Sequence, residues 1–107
     1  MVPRPLCRPR QVVIEFFRPA CPRCNRLAPA LLPVEEGARR EGVSWTMINT
    51  DDPSAAGLIR SLGVSSLPHF SFITAEGKQL ARMAGAVDSA NVADGVDMLL
   101  GRWVPPD

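Results

Sequence analysis

Cys21-Pro22-Arg23-Cys24 stands where a buried strand gives way to a helix, and that junction limits the folds open to this chain. Before it, Gln11 to Phe17 is a run of β-branched and aromatic residues broken only by Glu15. Such a run reads as a strand covered on both faces. After it, Cys21 to Arg40 reads as a helix, with Cys24, Leu27, Ala28, Leu31 and Val34 along one stripe. Cys21 takes the N-cap and Pro22 the first helical position, where its missing N–H costs nothing. Arg39 and Arg40 suit the last turn, and Gly42 suits the stop. Pro29 inside the helix predicts a kink, and Pro33 threatens a second break.

The rest of the chain continues the alternation. Ser44 to Thr50 reads as a second strand. Asp52 caps a short helix with Pro53 at its first position, and Ala55, Leu58, Ile59 and Leu62 form its apolar face up to Gly63. His69 to Thr74 and Gln79 to Ala84 read as strands joined by the turn Ala75-Glu76-Gly77-Lys78. Asp88 or Ser89 starts a last helix with Val92, Val96, Leu99 and Leu100 inward and Gly101 at its end. A strand–helix–strand unit gives parallel neighbours, and the hairpin adds antiparallel ones. The expected class is α/β, a mixed sheet of four strands with helices on both faces.

Residues 11–101 make the domain. The stretch 1–10, with Pro3, Pro5 and Pro9 among Arg4, Arg8 and Arg10, reads as an irregular arm, and 102–107 as a tail. At 107 residues the chain has room for one domain, which buries roughly 65% of its extended surface. The net charge of +1 gives no support to a nucleic-acid partner, and no apolar run is long enough for a membrane. Met1 to Arg10 has no apolar signal region, so the expected compartment is the cytoplasm; the periplasm or the exterior would follow had an export segment been removed.

Three cysteines are too few for a disulfide framework and point to chemistry. At an N-cap, a Cys21 thiolate can accept the backbone N–H of Cys24 and gains from the helix dipole. Cys21 is expected exposed at the helix mouth and Cys24 shielded on the inward stripe. That arrangement gives an attacking thiol and a resolving thiol. The competing use of such a pair is metal binding. No second pair exists, and only Cys7 and His69 remain to complete a zinc site, so no metal is assigned.

Taken in order, these motifs resemble the thioredoxin family from Val12 to Gly101. The resemblance rests on Val13-Ile14-Glu15-Phe16-Phe17, Pro19-Ala20-Cys21-Pro22-Arg23-Cys24, Pro29, Asn49-Thr50-Asp51, Gly63 to Pro68, Glu76-Gly77 and Gly85. It implies a thioredoxin-like fold and a thiol–disulfide oxidoreductase that acts on protein disulfides without a cofactor. A thioredoxin-reductase-type donor would recharge it, which places it in electron transport. It further implies that Pro68 is a cis-proline against the cysteine pair and that Leu67 offers backbone groups to substrate. Glu15 would take a proton from Cys24 during release, a task that burial suits by raising its pKa.

Several positions depart from the family pattern. Ala20 replaces a tryptophan, Pro22-Arg23 replaces Gly-Pro, Met47 stands where a lysine often pairs with the buried acid, and a first strand and helix are missing. Arg23 and Arg18 bring positive charge toward a Cys21 thiolate. The expected poise is therefore more oxidising than that of an ordinary thioredoxin. His69 reads as a strand histidine, Cys7 as an incidental arm thiol, and Trp45 and Trp103 as packing residues. The alternative function is a partner-binding or redox-sensing module with little turnover.

Overall fold

A computed structural model describes residues 10–102. The expected arm up to residue 9 with Cys7, and the tail from residue 103 with Trp103, lie outside the described residues. Strand β1 (Val12–Phe17) leads to helix α1 (Pro22–Arg40) and strand β2 (Ser44–Asn49). A 3-10 turn (Pro53–Ala55) runs into helix α2 (Ala56–Leu62). Strands β3 (His69–Ile73) and β4 (Gln79–Ala84) form the hairpin, and helix α3 (Ser89–Leu99) follows. The strands lie in the order β2-β1-β3-β4. β1 runs parallel to β2 and antiparallel to β3, and β3 is antiparallel to β4. The mixed four-stranded sheet with three helices matches the expected class.

Strand alternation sorts the side chains into two layers. On one face, Val13, Trp45, Phe70 and Phe72 pack against Leu31 and Ala38 of α1 and Val92, Val96 and Leu99 of α3. This is the main core. The register places Ile14 opposite Ser71 and Phe16 opposite His69 on the other face. There Arg82 of β4 donates to the carbonyls of Leu62 and Gly63, which ties the end of α2 to that side. Helices thus lie on both faces, unequally.

Two expectations about helices change. α1 runs on through Pro29 and Pro33, so the break threatened at Pro33 does not occur. Both prolines are exposed, so the carbonyls left without a helical donor face solvent. The anticipated apolar face of α2 is only partly covered: Ala55, just before the helix, is buried, Ile59 and Leu62 are half-buried, and Leu58 is 36% exposed. The helix is anchored by Ala55 at its start and by Arg82 at its end, with Ile59 and Leu62 half-buried between them. At α3, Asp88 is the N-cap, and a reciprocal pair of hydrogen bonds with Asn91 forms a capping box.

Candidate active site

Cys21 sits at the N-cap of α1 with an extended backbone, and its Sγ accepts the N–H of Cys24 at 3.1 Å. Pro22 occupies the first helical turn, so it removes no needed donor. The two cysteines form a disulfide with Cα atoms 5.3 Å apart. The expected contrast in exposure is absent: Cys21 is 8% exposed and Cys24 6%. In the disulfide, position on the helix, not access, distinguishes the two. Asn25 ties the first turn back to the Pro19 carbonyl.

Glu15 is 5% exposed, on the sheet face that α1 covers. Its Oε1 accepts the indole N–H of Trp45 at 3.1 Å. Burial pushes its carboxyl above the ordinary range, the Trp45 hydrogen bond draws it partly back, and the charge of Glu35 on α1 adds to the rise. Met47, level with Glu15 in the β1–β2 register, is half exposed and supplies no cation.

Trp45 is therefore more than a packing residue. A signal for this was in the sequence: a buried indole N–H needs an acceptor. Choosing Glu15 as that acceptor requires the parallel register that sets Trp45 beside Val13 on the same face.

The Leu67–Pro68 peptide bond is cis, Pro68 is buried and Leu67 half-buried. The Pro68 carbonyl accepts the N–H of Gly85. Gly85 has φ +79°, and a Cβ there would lie 3.6 Å from Nη1 of Arg23 and 3.9 Å from Cβ of Ser66. The end of the Arg23 side chain, Gly85 and the Ser66–Pro68 segment thus come together.

Arg18 does not act as a free charge: it pairs with Asp51 at 3.4 Å. His69 lies on the face opposite Glu15. Its ring meets Phe16 edge-on at 5.4 Å, and Nε2 is 2.9 Å from Ser71 Oγ. Burial and the nearby Arg82 charge lower its pKa. Among the described residues no group of three or more His, Cys, Asp and Glu could hold a metal ion. Nor is any described helix long and apolar enough to cross a membrane.

Comparison with known proteins gives a consistent likeness. The thioredoxin family model matches residues 6–98. Thioredoxin-like protein HCF164, chloroplastic, of Arabidopsis thaliana is 27% identical over 90 residues, 84% of this chain and 34% of that protein. Thioredoxin-like protein R548 of Acanthamoeba polyphaga mimivirus is 33% identical over 75 residues, 70% of this chain and 53% of that protein. The chain spans about a third to a half of the length of these relatives. Oxidised thioredoxin O2 from Arabidopsis thaliana aligns with a TM-score of 0.71 at 22% identity, covering 84% of this chain and 75% of its own. Fasciola hepatica thioredoxin aligns with a TM-score of 0.70 at 23% identity, covering 85% and 82%. At those identities the structural likeness is one of fold.

Proposed function

Because the chain belongs to the thioredoxin family, we propose that it is a thiol–disulfide oxidoreductase that acts on protein disulfides through Cys21 and Cys24. The observation that carries this reading is the disulfide at the helix N-terminus, with Cys21 Sγ accepting the Cys24 N–H. A thiolate at Cys21 gains from that N–H and from the helix dipole, which favours it as the attacking group.

In the proposed cycle the Cys21 thiolate attacks a substrate disulfide. One sulfur–sulfur bond breaks, a mixed disulfide forms, and one substrate thiolate leaves. Glu15, its proton affinity raised by burial, takes the Cys24 proton. The Cys24 thiolate then attacks Cys21 Sγ, which forms the Cys21–Cys24 disulfide and frees the second substrate thiolate. Two electrons pass from the dithiol to the substrate. A reductase-type donor returns them, and a reducing cytoplasm is the setting that keeps such a pair ready. Leu67 and Pro68 position the substrate segment beside the pair.

Pro22 and Arg23 tune the potential. With Arg18 engaged by Asp51, Arg23 is the arginine left to favour the thiolate, and hence the reduced form. The poise is placed above the thioredoxin value of about −270 mV, by a margin that solvent screening keeps small.

One observation favours the alternative of a redox-sensing or partner-binding module with little turnover: both cysteines are nearly buried. Insulin disulfide reduction with dithiothreitol as electron source separates the two. The oxidoreductase reading predicts turnover in the wild type and its loss in Cys21→Ser. Wild-type rates equal to those of dithiothreitol alone favour the sensing module.

A further inference from the structure

The surface beside the disulfide carries positive charge that the rest of the described structure does not compensate. A groove of about 400 Å³ opens between the first turns of α1 and the loop from β4 to α3. Leu27, Ala86 and Val87 give it an apolar floor, and Arg23 and Arg26 stand at its side. Three residues apart on one helix, the two arginines project from the same face. Both are exposed. The Arg23 guanidinium lies at ordinary contact distance, 3.6 Å, from where a Cβ of Gly85 would stand, and the Gly85 N–H donates to the Pro68 carbonyl. The groove therefore adjoins the Leu67–Pro68 segment through Gly85, and it reaches the redox motif through Arg23, which stands between the two cysteines.

The ion pairs among the described residues engage Arg18, Arg39 and Arg102; none engages Arg23 or Arg26. The groove also holds one carboxylate, Asp88. It is the N-cap of α3 and accepts the N–H of Asn91 at 2.8 Å. Two guanidiniums against one committed carboxylate leave the groove positive, although the whole chain carries only +1.

We propose that this groove selects among protein disulfides, favouring those with aspartate or glutamate within a few residues of the attacked cysteine. The proposal rests on the oxidoreductase reading and names its substrate class. Arg23 and Arg26 receive the acidic side chains, and the floor of Leu27 and Val87 takes an aliphatic neighbour. Two exposed ion pairs support a preference of about threefold to tenfold at low salt, reduced by screening as salt rises.

The test uses two disulfide-bonded peptides of equal length, one with glutamates and one with lysines flanking the cystine, and dithiothreitol as donor. The readout is the ratio of kcat/KM for the acidic peptide to that for the basic one, within each variant. A change in redox potential or folded fraction alters both terms alike and cancels. The expected ratio is threefold to tenfold for the wild type, lower for Arg26→Gln, and close to one for the Arg23→Gln/Arg26→Gln double variant and for the wild type in 0.5 M salt. A wild-type ratio of one, or a ratio unchanged in the double variant, overturns this inference while the oxidoreductase reading stands. Reduction of neither peptide overturns both.

Discussion

Glu15 is the residue at which folding and chemistry pull in opposite directions. Its carboxyl is buried among Trp45, the core and the field of Glu35, and its proton is held more tightly in the folded protein than in the unfolded chain. The linkage has a definite sign. An acid with a raised folded pKa stabilises the protein fully below the unfolded value near 4.5, and that contribution is lost as pH rises through the folded value. Glu15→Gln removes the loss and keeps an oxygen for the Trp45 N–H. The variant is therefore expected to be more stable than wild type at pH 8, and its advantage over wild type should grow as pH rises from 5 to 8 in urea melts. Its release of mixed disulfide should be slower at neutral pH. A variant less stable than wild type at pH 8 contradicts the assignment of Glu15 as a raised, buried acid. His69 works in the opposite sense. Its lowered pKa means that stability falls as pH drops below its ordinary value of 6.5.

Among the elements, those fixed by local chemistry were legible in the sequence, and those fixed by contact with other elements were not. The start of α1 could be read from Cys21 and Pro22 because an N-cap and a first-turn proline are local devices. Asp52 was legible on the same grounds, and the start of α3 was narrowed to Asp88 or Ser89, of which Asp88 is the cap. The bond from Trp45 to Glu15 was not legible, since it depends on register between strands that lie 30 residues apart. Nor was the looseness of α2, because an apolar stripe does not say how much surface awaits it.

Gly95 is the clearest case. The sequence pattern gives the inner face of α3 as Val92, Val96, Leu99 and Leu100, yet the helix approaches the sheet at Gly95, where a Cβ would run into the ring of Phe72, and Leu100 is the half-buried C-cap. Helix propensity alone favours Gly95→Ala by about 1 kcal/mol. Phe72 is fully buried and cannot retreat, so overpacking should prevail and the variant should lose about 1–3 kcal/mol. A chemical melt decides the sign: a stabilised Gly95→Ala would mean that α3 and β3 are not packed as closely as described here.

At the scale of the whole molecule, one sheet carries two unequal layers. The α1 and α3 side holds the main core and the redox pair's helix, while on the other side α2 contributes only the buried Ala55 before it and the half-buried Ile59 and Leu62. The order of elements was readable from periodicity and turns, and it is what the motif spacing required. The charge distribution was less so. A net charge of +1 conceals arginines gathered near the disulfide, and only the fold shows that Arg18 is answered by Asp51 while Arg23 and Arg26 are not engaged by the described ion pairs.

All of these features serve one claim, that Cys21 attacks and Cys24 resolves. Mass spectrometry of variants mixed with a disulfide-bonded peptide tests it directly. Reduced Cys24→Ser should hold one peptide chain covalently on Cys21, stable until dithiothreitol is added, whereas Cys21→Ser should hold none. An adduct on Cys24 in Cys21→Ser, with none on Cys21 in Cys24→Ser, would contradict the account.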